Sequence, residues 1–212
     1  MKATVIDAGV GNLGNLRRAL AHLGAEVEVT AEPAEISRAR CLLLPGVGAF
    51  RPPRERLRGG PETALAEALS AGAWLLGICV GYQLLFEGSE EFGDTDGLGL
   101  LQGRVTRLPA TVSLPHIGWN ALAVEPGDGS RSRLLAGIAE GSHVYFVHTF
   151  APEGVPEGDV LATALHGRSF PAVAGRGRVL GAQFHPEKSG RVGLELLANF
   201  LAMSDGEERG HG

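Results

Sequence analysis

AWLLGICVGYQ, residues 73–83, is the stretch that decides the fold. Its first seven residues are an apolar run ending at Cys79, the length of a strand buried on both faces of a sheet. The continuation VGYQLLFEG, 80–88, reads as the helix that follows. Gly77 and Gly81 stand two residues to either side of Cys79, the G-x-nucleophile-x-G shape of a sharp strand-to-helix turn. A side chain at either glycine would collide with neighbouring backbone, and the turn lifts the sulfur clear of the sheet. At a helix start, unpaired N–H groups and the helix dipole favour thiolate over thiol. The N–H of Val80 is then a natural oxyanion donor. Taken by itself, the motif fits a buried core cysteine equally well.

Upstream of this stretch, strands and helices alternate. ATVIDAG is a strand, Asn15–His22 a helix with Leu16, Leu20 and Leu23 on one face, and AEVEVT a second strand. A short helical stretch after Glu32 leads to CLLLPGVG, a buried strand ending in a turn. Residues 51–61, RPPRERLRGGP, read as a loop from their Pro and Gly content, and PETALAEALSAG as a helix. Downstream of Asp94 come RVTRL, ALAVE, HVYFVHTF, VLATAL, FPAVAG and VLGAQF, short strands expected to form an antiparallel addition. RVGLELLANFLAM closes the chain as a helix. The expectation is an α/β fold, a mostly parallel central sheet flanked by helices with an additional antiparallel β region. It forms one domain over 1–203, with a polar, disordered tail at 204–212.

Composition limits the function classes. At 212 residues, 44% hydrophobic and 20% charged, the chain can bury a core without disulfide or metal. A net charge of −5 gives no electrostatic reason for nucleic acid or an anionic membrane as partner. No stretch has the length of a membrane span, MKATVIDAG is not a signal peptide, and two distant cysteines suit a reducing cytosol.

Two further motifs give Cys79 company. In VLGAQFHPEKS, His185 and Glu187 lie two residues apart on an extended segment and project to one side. Glu187 can hold one ring nitrogen of His185 while the other faces the cysteine, an arrangement of nucleophile, base and orienter. PGVG, Pro45–Gly48, ends its strand where open parallel sheets bind ligands. Val47 and Gly48 offer backbone for a developing oxyanion, beside Val80. Gly46 and Gly48 let the peptide between them turn over.

GICVGYQ, HPEKS and PGVG together resemble the class I (triad) glutamine amidotransferases, which share the flavodoxin-like sheet, over nearly the whole chain. The resemblance implies Cys79 as nucleophile, His185 as acid/base and Glu187 as orienter, with glutamine contacted by Gly48, Gln83, Thr149 and Phe150. Phe150 stands where a related subunit carries Tyr. DAGVGNLGNL, PHIGWN and HVYFVHTF are similar to one branch, the glutaminase subunits of imidazole glycerol phosphate synthase in histidine biosynthesis. That branch implies a separate (β/α)₈-barrel cyclase as partner, with Asn12, Asn15, Trp119, Asn120, Tyr145 and Lys188 at the interface. No cofactor is expected, and the freedom of Gly46 and Gly48 suggests an oxyanion peptide misaligned until the cyclase carries its nucleotide.

Besides a glutaminase subunit of a different biosynthetic amidotransferase, three rival readings remain. Gly9, Gly11 and Gly14 spell G-x-G-x-x-G between a strand and a helix, with Glu32 after the second strand, as in dinucleotide-binding proteins. That reading gives the elbow and HPE no role. An α/β-hydrolase with a cysteine nucleophile would place its acid before the histidine, not after. A silent binding module has no physical reason to hold all three triad residues. His22, His116, His143, His148 and His166 have no metal-ligand spacing, so no metal is assigned.

Overall fold

The runs ending at Ile6, Gly46 and Cys79 lie side by side, because strands buried on both faces need a sheet covered by helices. The structure, a computed structural model, describes residues 1–125 and 133–206. The strands are β1 (Lys2–Ile6), β2 (Glu26–Thr30), β3 (Cys41–Gly46), β4 (Trp74–Cys79), β5 (Gly88–Ser89), β6 (Thr95–Asp96) and β7 (Arg104–Arg107). They continue with β8 (His116–Ala121), β9 (Ala123–Val124), β10 (His143–His148), β11 (Phe150–Glu153), β12 (Val160–His166), β13 (Arg168–Arg176) and β14 (Val179–Ala182). The main sheet has eight strands in the order β2-β1-β3-β4-β14-β13-β12-β9. The first five are parallel, and β13, β12 and β9 continue the sheet antiparallel. β10 and β8 form a two-stranded ribbon, and β11-β7-β5-β6 a small third sheet.

Leu42, Leu43, Leu44, Leu75, Leu76 and Ile78 fill the centre and are almost wholly buried. Each such side chain contributes roughly 1.5–3 kcal/mol. Helix α1 (Leu13–His22) packs against the C-terminal helix Gly190–Asp205, while α2 (Pro33–Ile36) and α3 (Arg51–Leu57) pack against α4 (Gly60–Ser70).

Several sequence expectations need correction. Residues 51–57 are helical, not a loop: Pro52 and Pro53 fall in the first turn, where a missing N–H costs nothing. Arg54 fixes this helix from within, donating to both oxygens of Glu62 at 2.8 and 2.9 Å and to the carbonyls of Asp96 and Gly97. The helix expected over 80–88 is the single turn α5 (Val80–Gln83). Residues 80–86 are all buried, so no polar face exists to carry a longer surface helix. The run VLGAQF is only half in the antiparallel addition: β14 pairs antiparallel with β13 but parallel with β4, so it is also the last strand of the parallel core. HVYFVHTF is two strands broken at Thr149, which sends β10 and β11 into different sheets. ALAVE is also divided, between the end of β8 and β9. The last helix runs to Asp205, so the expected tail begins later, and its residues 207–212 lie outside the described residues.

Candidate active site

β3, β4 and β14 are adjacent and parallel, so PGVG, Cys79 and the HPE segment all emerge at the same edge of the sheet. Register pairs Gly46 directly with Cys79. Cys79 has φ 54° and ψ −111°, a conformation that costs a non-glycine residue about 1–3 kcal/mol. The flanking glycines permit it. A Cβ on Gly77 would lie 2.7 Å from the Tyr82 Cα, and one on Gly81 1.7 Å from the Leu44 carbonyl oxygen. A Cβ on Gly46 would meet Gly81 N and Val80 Cβ at 2.8 Å, so that glycine serves close packing on the elbow. Gly48, at φ +82° with open space around it, serves conformation instead.

β14 ends three residues before His185, which is followed by a short 3₁₀ turn, Pro186–Lys188. His185 Nδ1 and Glu187 Oε1 are 2.9 Å apart, and both side chains are only 2% exposed. His185 Nε2 and Glu187 Oε2 are buried without a conventional hydrogen-bond partner. Burial pulls the His185 pKa down, but the neighbouring Cys79 sulfur and Glu187 carboxylate more than reverse this and raise it to about 10. The surroundings thus favour the charged form of the imidazole, the form that can give a proton from Nε2 to a leaving group. Cys41, the other cysteine, sits at the amino end of β3, where burial pushes its thiol up to about 11. Its position and its protonated state both leave it out of this chemistry.

A cavity of about 340 Å³ opens over Cys79 and His185, lined also by Val47, Gly48, Val80, Gln83, Thr149 and Phe150. The structure thus collects every residue expected to contact glutamine. Gln83 donates its amide to the Phe150 carbonyl at 2.9 Å and to Gln183 Oε1 at 3.1 Å. Gln183 in turn donates to the Cys79 sulfur at 3.9 Å. Glu91 also lines the cavity, accepting the Phe50 N–H at 2.8 Å, and burial raises its carboxyl pKa. Sequence reasoning missed Gln183 and Glu91. An amide at the end of an apolar strand is a signal for the first; nothing local marks the second.

Trp119 and Tyr145 are directly opposed across the β8–β10 ribbon, their rings 6.1 Å apart and edge to face. Lys188 places its ammonium 5.7 Å from the Tyr145 ring centroid. Trp119 is 56% exposed, and Ile117, absent from the sequence expectations, is 60% exposed on the same face of β8. α1, which follows Asn12 and carries Asn15, packs against the 186–188 turn. Asn120 is not brought to this face. Strand alternation turns it inward, where its amide serves His116 and the Leu165 carbonyl.

At the N-terminus, the Arg56 guanidinium lies 2.5 Å from where a Cβ on Gly9 would be, across the loop a pyrophosphate would approach. Here the first glycine of G-x-G-x-x-G admits Arg56, while Gly11 and Gly14 meet their neighbours only at ordinary contact distances. No helix among the described residues is long and apolar enough to cross a membrane. Among them no three His, Cys, Asp or Glu side chains converge to hold a metal ion.

The family model "Glutamine amidotransferase class-I" matches residues 4–203. The chain belongs to the class-I glutamine amidotransferases. It is 46% identical over 203 residues to imidazole glycerol phosphate synthase subunit HisH of Symbiobacterium thermophilum, covering 95% of this chain and 94% of that one. The same subunit of Geobacillus thermodenitrificans is 46% identical over 216 residues, covering 97% and 98%. Among solved structures, a glutamine amidotransferase superposes with a TM-score of 0.75 at 23% identity, covering 96% and 99%. PurLQS from Thermotoga maritima gives 0.77 at 20% identity, covering 95% and 98%. At these identities the structural likeness concerns the amidotransferase fold alone.

Proposed function

We propose that this chain is the glutaminase subunit of an imidazole glycerol phosphate synthase, residues 1–203 acting as one amidotransferase domain in the cytosol. The observation that carries the chemistry is Cys79 at a strained elbow beside a buried His185–Glu187 pair, under one cavity. Relatives 42–46% identical over most of their length support the pathway.

The Cys79 sulfur attacks the carboxamide carbon of glutamine. The carbonyl oxygen takes up negative charge between the Val80 N–H and the Val47–Gly48 backbone, donors of a kind worth about 10²–10³ in rate each. His185 gives its Nε2 proton to the departing nitrogen, ammonia leaves, and a γ-glutamyl thioester remains. Neutral His185 then takes a proton from water, the hydroxide attacks the thioester, and glutamate departs as the thiolate and imidazolium re-form. Glu187 holds Nδ1–H throughout, fixing the ring and favouring its charged form. Among the described residues Glu91 brings a carboxylate to the cavity wall, and in this reading it takes the substrate's α-ammonium.

Ammonia released into water is protonated and lost as a nucleophile, so a sealed partner is required. The face built by Ile117, Trp119, Tyr145 and Lys188 suits a (β/α)₈-barrel cyclase, aromatic anchors being typical centres of interfaces. The chemistry is tested with a glutamine-shaped diazo ketone, followed by mass spectrometry. One adduct on Cys79, slowed by glutamine, is expected. An adduct on Cys41, or none, would overturn the assignment.

A further inference from the structure

The inward face of the β8–β10 ribbon carries polar groups that glutamine cleavage does not itself use. His116 and His148 are opposed in register, with His116 Nδ1 3.0 Å from His148 Nε2. His148 Nδ1 lies 2.9 Å from the Phe150 carbonyl oxygen, which can only accept. His148 therefore carries its proton on Nδ1, its Nε2 accepts, and His116 Nδ1 donates. That leaves His116 Nε2 as acceptor for the Asn120 amide at 3.2 Å, whose nitrogen also donates to the Leu165 carbonyl at 2.9 Å. Every bond in the row has one allowed direction. His166 braces it, stacking on His116 at 4.0 Å and donating Nε2–H to the Ser113 carbonyl.

The row does not stop at Phe150. The same carbonyl accepts from Gln83, Gln83 reaches Gln183, and Gln183 donates to the Cys79 sulfur. A continuous chain of directed hydrogen bonds thus joins Asn120 to the nucleophile. His148 lines the cavity, whereas His116 and Asn120 lie behind it.

We infer that His116 and Asn120 are positioning residues for glutamine cleavage: through His148 they hold the Thr149–Phe150 wall of the substrate cavity and the amides behind Cys79. This rests on the cavity being the glutamine site. It requires both imidazoles neutral, since one added proton would set two N–H groups against each other. Burial, first among the causes, lowers His116 to about 4 and His148 to about 3, in keeping with that requirement.

The test compares H116F with H116N in the full chain, assayed with its cyclase subunit. Phenylalanine keeps the stacking on Phe146 and His166 but donates nothing; asparagine restores an N–H where Nδ1–H stood. The wall touches substrate equally before and during reaction, so its loss acts on binding. H116F should raise KM for glutamine about tenfold with kcat within about threefold, and H116N should recover most of that loss. In ¹⁵N NMR, His148 should hold one tautomer in the wild type and lose it in H116F. N120D, which swaps the donor for an acceptor, should disturb the same tautomer if H116F does not fold. An unchanged KM and tautomer in folded variants would overturn the relay, as would H116N no better than H116F. A wild type that never cleaves glutamine would instead remove the glutamine reading, while the tautomer still reports on the relay.

Discussion

His185 and His148 line the same cavity and His116 lies behind His148, all three nearly equally buried at 2%, 6% and 5% exposure. Their proton affinities nevertheless diverge, His185 rising to about 10 and the other two falling to about 4 and 3. Burial pushes all three down. What separates them is the partner: His185 meets a carboxylate and a thiol, while His116 and His148 meet an amide, a carbonyl and each other. A buried imidazole next to an anion becomes a proton donor for catalysis. One surrounded by neutral groups becomes a directional structural link. On the proposed reading, the same residue type does both in this molecule.

The hardest way to break the contrast is to remove the catalytic side. Cys79→Ala, or His185 replaced by Leu, should lower glutamate release by roughly 10⁴-fold or more, measured in the complex. Glu187→Gln should be next, with a loss of about 10²–10⁴ in kcat, because the amide neither fixes the tautomer nor supports the imidazolium. The same variant should shift the pH dependence, bringing the His185 titration down from about 10 toward neutrality. Trp119→Ala sits outside the contrast and sharpens it. It should weaken partner binding by about ten- to a hundredfold by calorimetry, with the unpartnered chain's glutamine turnover unchanged.

The smallest effect is on stability, and the two regions should show opposite signs. His116 and His148 have folded pKa values below the ordinary 6.5, so below pH 6.5 the unfolded chain binds protons that the folded one does not. Their burden is absent above pH 6.5 and grows as pH falls toward about 4 and 3. His185 has a raised folded value, so its contribution is fully present below 6.5 and lost as pH rises through about 10. In urea titrations between pH 6.5 and 4, H116F should reduce the acid slope by at most about 1.4 kcal/mol per pH unit. No change in slope would mean His116 is already charged in the folded protein.

The elbow and the His185–Glu187 pair were legible in the sequence because their signals are local. A strand, two glycines and a cysteine define an elbow within five residues, and His185 and Glu187 are two apart. The relay was not legible, since His116 and His148 are 32 residues apart and meet only through the β8–β10 register. The resemblance put Asn120 at the partner face together with Trp119, but adjacent strand residues face opposite ways, and the Asn120 amide turns to His116 and the Leu165 carbonyl. Pro52 and Pro53 signal a loop by composition, although the first turn of a helix accepts both. β14 carries only four strand residues, and its parallel partner β4 is about a hundred positions away, a choice made by tertiary packing.

Glutamate release from glutamine by the purified chain, with and without a cyclase barrel carrying its nucleotide, tests the central claim most directly. Slow release by the chain alone, a strong rise with the liganded barrel, and none from Cys79→Ala in either case are expected. Release that persists in Cys79→Ala, or is absent throughout although the complex forms, would contradict it.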